Sequence, residues 1–399
     1  MDTPARRRTQ PMNVGYAQTV ITPSLDRPVY LAGFGRNRRA ETVHDDLYAR
    51  ALAVSDGQTT LVLCALDLIG FFRPHVYEVI TRVNRPDVHI VIASTHTHHG
   101  PDTMGLWGPD WKTRGVDEVY FETVKTRIAQ TISNALAALK PASVKWASVH
   151  VPGVAKNARD PEIVDDELTL FQFLNTEHCP LITVYNFPCH PEVLWDGNPH
   201  ITSDYVHYLR EEVERQTGAP CIFFSGGLGG MMTPDVKDHS FPEAEAMGRN
   251  LAEAGLKALG AVNSQQSAII HLQKKEIRPQ LTNPLYKLAF WVKVLPDVRE
   301  GGCVTSEVNL IRIGGLWLAT VPGELLPKLG LALKARLHES GASVAGIIGL
   351  ANDELGYILP AEDFKYPLNP FRPGNHYEET NSIGKEIGPK VIEALQGLL

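Results

Sequence analysis

Apolar runs that each stop at an imidazole, a carboxylate or a hydroxyl constrain this chain more than any other feature. The clearest is "HIVIASTHTHHGPDTMG", residues 89–105. Its β-branched and small apolar residues read as a buried strand over 88–95. Three histidines, His96, His98 and His99, stand where a Gly-Pro pair stops it. The pattern recurs. "LVLCALDLIGF" carries Asp67 late in the run, and "VYNFPCHPEVLW" ends in His190. "CIFFSGGLGGMMTPD" passes through Gly226–Gly230 to Thr233, and "LATVPGELLP" ends in Gly323-Glu324. "IIGLANDELGYILP" ends in a turn with Asp353, Glu354 and Tyr357. Open α/β folds bind ligands beyond the carboxyl ends of their strands. The recurrence predicts a site assembled from several strand C-terminal ends.

Helical periodicity fills the intervals, over 73–84, 116–140, 203–216, 242–259, 323–339 and 384–399. Further strand-like runs cover 142–151, 168–175, 180–187, 219–225, 268–279, 307–315, 316–323 and 345–352. Strands that are both sequentially adjacent and separated by helices predict the α/β class: mixed β-sheets, or two stacked sheets, with flanking helices. No internal repeat and no linker is visible. Residues 13–399 read as one domain behind a disordered tail, 1–12, that holds Arg6, Arg7 and Arg8. The amphipathic stretch 281–302 reads as a core-packing helix.

Composition removes whole classes of function. A formal charge of -7 over 399 residues, with no basic stripe beyond that tail, argues against a nucleic-acid partner. No apolar run has membrane-span length, and the N-terminus lacks the apolar segment of a secretory signal. Five cysteines without CxxC spacing read as reduced thiols. The expected location is cytoplasmic.

In a strand, residues i and i+2 share a side. His96 and His98 would project together if the strand persisted, with His99 turned away. Two imidazoles at a strand end suit a metal ligand beside an acid/base group. An isolated His-x-His is equally compatible with a pair of hydrogen-bonded surface histidines.

Taken in order, "GYAQTVITPS", "LAGFGRNR", "VHDDLYARALAV", "ALDLIGF", "STHTHHGPDTMG", "VYNFPCHPEVLW", "VPGEL" and "GLANDELGY" resemble the catalytic domain of the neutral/alkaline, non-lysosomal ceramidases, over about residues 13–390. That resemblance implies one catalytic zinc per chain, held by His96, His190, Glu324 and Tyr357. It implies that His98 is not a ligand but lies beside the reacting carbonyl. The expected activity is zinc-dependent hydrolysis of a linear N-acyl amide, a reaction of lipid metabolism, by a zinc-activated water. Tyr357 and His98 would face the oxyanion, and His98 would protonate the leaving amine. Asp67 and Asp353 are expected to accept from the metal-bound imidazoles. Asp204 reads as a helix cap, and Trp107 and Trp195 as pocket walls.

The sequence departs from the family in several places. Gly230-Met231-Met232-Thr233-Pro234 stands where the family has Gly-Asp-Val-Ser-Pro, leaving Thr233 as the catalytic hydroxyl. The family's substrate-binding Asn-Arg falls on Asn157-Ala158, with Arg159 one position late. The family's signal peptide and C-terminal β-sandwich domain have no counterpart. Rival readings are a zinc esterase or lactonase, a serine or threonine hydrolase using Ser225 or Thr233, a phosphate binder at "SGGLGG", and a non-catalytic metal-binding protein. The second lacks a G-x-S-x-G elbow, and the third lacks a GK[ST] or full GxGxxG.

Overall fold

Three successive stretches fold into the same arrangement: three strands in antiparallel succession, a helix, then a fourth strand parallel to the third. In the computed structural model, residues 12–266, 268–292, 295, 299–364 and 377–399 are described. The first unit comprises Met12–Val20, Tyr48–Ser55, Thr60–Leu66, helix Arg73–Val83 and Val88–Ser94. The second comprises Lys140–His150, Glu167–Leu174, Pro180–Phe187, helix Tyr205–Thr217 and Cys221–Ser225. The third comprises Ile270–Ile277, Ser306–Ile313, Leu316–Thr320, helix Pro327–Glu339 and Val344–Ile348. After each unit a further helix packs back on its first strand: Glu118–Ala137, Phe241–Gly260 and Ile387–Gln396. No sequence repeat announces this. Element order and apolar patterning fix a topology, and many different side chains satisfy both.

Units one and two share an eight-stranded mixed sheet, joined where Met12–Val14 pairs antiparallel with Lys140–Ala142. Unit three forms a four-stranded sheet stacked on it. The two-residue strand period sorts the side chains into layers. Leu52, Leu63, Phe171 and Val184 meet Ile311 and Leu318 between the sheets. The intervening Ala51, Val62 and Ile92 face helices Arg73–Val83 and Glu118–Ala137. Leu170, Tyr185 and Phe223 face helices Tyr205–Thr217 and Phe241–Gly260. Leu310, Ala319 and Ile347 face helices Pro327–Glu339 and Ile387–Gln396. The result is a four-layer α/β molecule with helices outside two stacked sheets. Among the described residues, no helix is long and apolar enough to cross a membrane.

Local expectations meet the structure at three places. The expected helix 323–339 begins only at Pro327, because Glu324–Leu325 pairs in parallel with Tyr357–Ile358. The stretch 281–302 contributes the helix Pro284–Trp291, which buries Phe290 but leaves Leu288 49% and Trp291 75% exposed. It packs on the core through Phe290, Tyr286 and Ala289, as expected, with its other face at the surface. The expected tail 1–12 falls outside the described residues except for Met12, which opens the first strand and is buried.

One buried ion pair ties unit one to unit two. Arg210 Nη1 donates to both Asp67 oxygens, at 2.9 and 3.1 Å, and Asp67 also accepts from Tyr48 N. Removing one partner of such a pair strands a charge, at a cost of about 3–5 kcal/mol. Asp67→Ala is expected to lower the melting temperature by several degrees. Asp67→Leu combined with Arg210→Met should recover most of the loss in the same thermal-unfolding assay.

Candidate metal centre

The apolar strands deliver their polar ends to one place. Val88–Ser94 stops two residues before His96, which turns out of the sheet with φ 66°. The strand does not persist through the histidines; a left-handed turn, not strand alternation, brings His96 and His98 together. Their ring centroids are 5.1 Å apart, and the His190 ring lies 5.1 Å from His96 and 5.4 Å from His98. The candidate ligand atoms of all three lie within 4.8 Å of one another. His99 turns the other way, placing Nε2 3.4 Å from Asp204.

Glu324 enters from unit three. Gly323 adopts φ 152°, and a Cβ there would stand 2.4 Å from the Gly356 carbonyl, so a side chain at this position would collide with backbone. Glu324 N donates to Gly356 O at 3.0 Å, and the short ladder sets Glu324 opposite Tyr357. The carboxylate faces both imidazoles: Oε2 is 3.1 Å from His190 Nε2 and Oε1 3.7 Å from His96 Nε2. The far ring nitrogens are held by backbone. His96 Nδ1 lies 2.5 Å from Ile69 O, and His190 Nδ1 lies 2.8 Å from Met232 O. Each carbonyl requires Nδ1 to carry the proton; His190 Nε2 carries a second one and donates to Glu324 Oε2 at 3.1 Å, whereas His96 Nε2 keeps its lone pair.

The charges separate these two rings. Burial pushes His96 down to about 3 despite the charge of Glu324. Burial also acts against a charged His190, but Glu192 and Glu324 together lift it to about 9. Burial opposes ionisation of Glu192 and Glu324, yet the neighbouring histidines hold both below the ordinary carboxyl value, Glu192 at about 2. Burial and the charge of Glu324 keep the Tyr357 phenol well above its usual range.

The other expected site residues divide. Tyr357 lies beside Glu324, its hydroxyl 3.3 Å from Met231 Sδ. Thr233, in the strand Met232–Pro234, lies close enough to Glu192 to favour its ionised form. His98 Nδ1 lies 3.0 Å from Glu192 Oε2, and its buried Nε2 has no hydrogen-bond partner among the described residues. Asn157 spends its amide on its own loop, donating to Ile163 O and accepting from Arg159 N and Asp160 N. Arg159 is committed to Glu378 and Glu379 at 2.7 and 3.1 Å. Most of the polar capacity of both residues is taken up within the protein. Asp67 and Asp353 do not take the imidazole protons; backbone carbonyls do. Asp353 accepts from Arg73 N and Glu354 N, and burial raises it to about 6. Asp204 caps its helix as expected and also accepts from Val193 N and Leu194 N. Trp195 packs beside Phe34 and stacks on His239, and Trp107 packs in a small cluster with Ile69 and Met104. Ser225 Oγ donates to Thr95 O at 2.6 Å and is fully buried, which removes it as a nucleophile.

Sequence reasoning missed Glu192, although an acid two residues past His190 in "HPE" was a legible signal. It also missed Tyr377, whose ring lies 5.7 Å from that of Tyr357 and hydrogen-bonds it. Nothing in the local sequence marks that tyrosine.

The donor set fits a divalent cation. Two imidazoles present Nε2, a carboxylate stands between them, and the buried His98 Nε2 lacks a hydrogen-bond partner among the described residues. Nitrogen and oxygen donors without a thiolate suit a catalytic rather than a closed structural site.

No family model matches the chain, and neither does any curated protein. Solved structures do match. A ceramidase complexed with C2 superposes with a TM-score of 0.79 at 16% identity, covering 97% of this chain and 74% of its own. The chain has a ceramidase fold. The neutral ceramidase from Pseudomonas aeruginosa superposes with a TM-score of 0.78 at 17% identity, over the same 97% and 74%. At this identity the likeness is one of fold, and the ceramidase-like arrangement runs through all three units.

Gly323→Ala tests whether the Glu324–Tyr357 ladder sets up the centre. It is expected to weaken divalent-metal binding at least tenfold in a competitive chelator titration. Gly153→Ala, at another positive φ but in open space, should leave metal binding unaltered.

Proposed function

We propose that this chain is a metal-dependent hydrolase of a linear N-acyl amide, with zinc as the resident ion. The observation that carries the reading is the convergence of His96 Nε2 and His190 Nε2 on one buried carboxylate, Glu324, with both Nδ1 atoms fixed by backbone. His96, His190, Glu324 and Tyr357 would hold the ion. When bound, zinc supplies Lewis acidity and brings a water's pKa from 15.7 toward about 7. The ceramidase fold favours an amide over an ester substrate.

The chain's own groups supply the rest. Tyr357, kept protonated by burial, donates its O–H toward the oxygen on which charge develops. His98 sits against both ligand histidines with Nε2 uncommitted, so that nitrogen can deliver a proton to the departing amine. Glu192 lies behind Nδ1 and orients that ring, and Thr233 steadies Glu192 in turn. The surrounding apolar and backbone wall excludes bulk water, which strengthens each of these interactions.

The test combines metal analysis with hydrolysis of short- and long-chain N-acyl amides. The native protein should carry about one zinc and lose activity to a chelator. His96→Ala and His190→Ala should lose both metal and turnover. His98→Ala should keep its metal and lose about 10²–10³ in kcat, the usual effect of removing one such group. Full zinc and full activity in His96→Ala and His190→Ala would overturn the assignment.

A further inference from the structure

The loop that presses on His98 carries three arginines, none in ion-pair contact with a carboxylate among the described residues: Arg39 lies over Tyr30, which leaves Arg36 and Arg38. Gly33 adopts φ 96°, and a Cβ there would fall 2.3 Å from the His98 ring. Phe34 meets the same ring edge-on at 4.7 Å. Arg38 lies over Phe34 and is half-buried. Its guanidinium donates only to carbonyls: Ala32 O at 3.0 Å, His98 O at 3.3 Å, Asp196 O at 2.9 Å and Asn198 O at 3.3 Å. Arg36 is exposed and spends only Nε, on Leu106 O at 3.1 Å; its terminal nitrogens have no partner among the described residues.

Three other enclosed guanidinium groups face carboxylates. Arg50 faces Glu214, Arg159 faces Glu378 and Glu379, and Arg210 faces Asp67. Burying a charge without an opposite partner is costly. Here a chain of net charge -7 keeps Arg38 against the backbone of its candidate acid/base histidine, with the exposed Arg36 two residues before it on the same loop. The carboxylates of the centre cannot serve them, because Glu192 and Glu324 are turned onto histidines. Burial pulls Arg38 down to about 10, against the charge of Asp196, as expected for a cation short of a close anion.

We infer that the substrate carries an anionic group, a carboxylate or a phosphate, near its scissile amide, and that Arg36 binds it within the positive field of Arg38. This rests on the hydrolase reading above for the position of the amide, but not for the presence of an anion site. The guanidinium fork of Arg36 matches either anion in a two-point contact. Arg38 has most of its N–H groups occupied and contributes charge, which a cleft of low dielectric focuses on its contents.

Matched ligands test this on the zinc-loaded full chain. N-lauroylglycine is compared with neutral N-lauroylglycinamide, and N-lauroyl-phosphoethanolamine with N-lauroylethanolamine, by calorimetric binding and by turnover. The anionic member of at least one pair is expected to bind tenfold or more tightly, and the larger ratio identifies carboxylate or phosphate. Raising the salt should shrink the ratio. Arg36→Gln should bring it close to one, whereas Arg36→Lys should keep part of it. Arg36 is the residue of choice because Arg38→Gln also unties four carbonyls. Ratios of one or less in the native chain, or a ratio unchanged in Arg36→Gln, overturn the inference. Tenfold anion preference in binding, with none of the four compounds cleaved, supports the anion site and overturns the hydrolase reading instead.

Discussion

A carboxylate taken out of water cannot stand alone, and the centre of this molecule is organised around that fact. Glu324 is almost fully enclosed, and His190 provides the opposite polarity that its burial demands. Its position follows from backbone chemistry. A glycine without a side chain lets residues 323 and 356 approach, a two-residue ladder fixes the direction of Glu324, and Tyr357 arrives on the same ladder. The two imidazoles answer this single charge in opposite ways. His190 sees a second carboxylate in Glu192, and burial dominates at His96.

Around this core, backbone and side chains divide the labour. Carbonyls of Ile69 and Met232 set the tautomers of the two imidazoles. Buried aspartates do the scaffolding: Asp67 links the first unit to the second through Arg210, Asp204 ties the His190 loop to a helix start, and Asp353 holds the first turn of another helix. Carbonyl acceptors orient a ring without adding a full negative charge. The formal charges nearest the centre are therefore Glu192 and Glu324 within, and Arg38 at the rim.

Much of this was legible in the sequence. The class, the stacked sheets and the outer helices follow from apolar runs whose lengths and alternation suit strands buried on both faces. The residues that meet, His96, His98, His190, Glu324 and Tyr357, were all marked by their place at the ends of such runs. The ladder that aligns Glu324 with Tyr357 was hidden, because two residues are too few to show a period and the helix-like pattern over 323–339 overrode them. The imidazole acceptors were hidden for a different reason: every residue has a carbonyl, so no side chain announces which one is used. Asn157 and Arg159 were named by position in a motif, but their partners, Ile163, Glu378 and Glu379, were set by tertiary folding.

The threefold topology has a consequence for descent. His96 follows the fourth strand of the first unit, His190 the third strand of the second, and Glu324 the third strand of the third. Each copy donates to the centre: His96 and His98 from the first, His190 and Glu192 from the second, Glu324 and Tyr357 from the third. If the copies arose from one ancestral gene segment, no single segment held the full set. The pocket then originated with triplication itself, as a junction between copies, and each copy's strand ends were free to diverge toward a different donor.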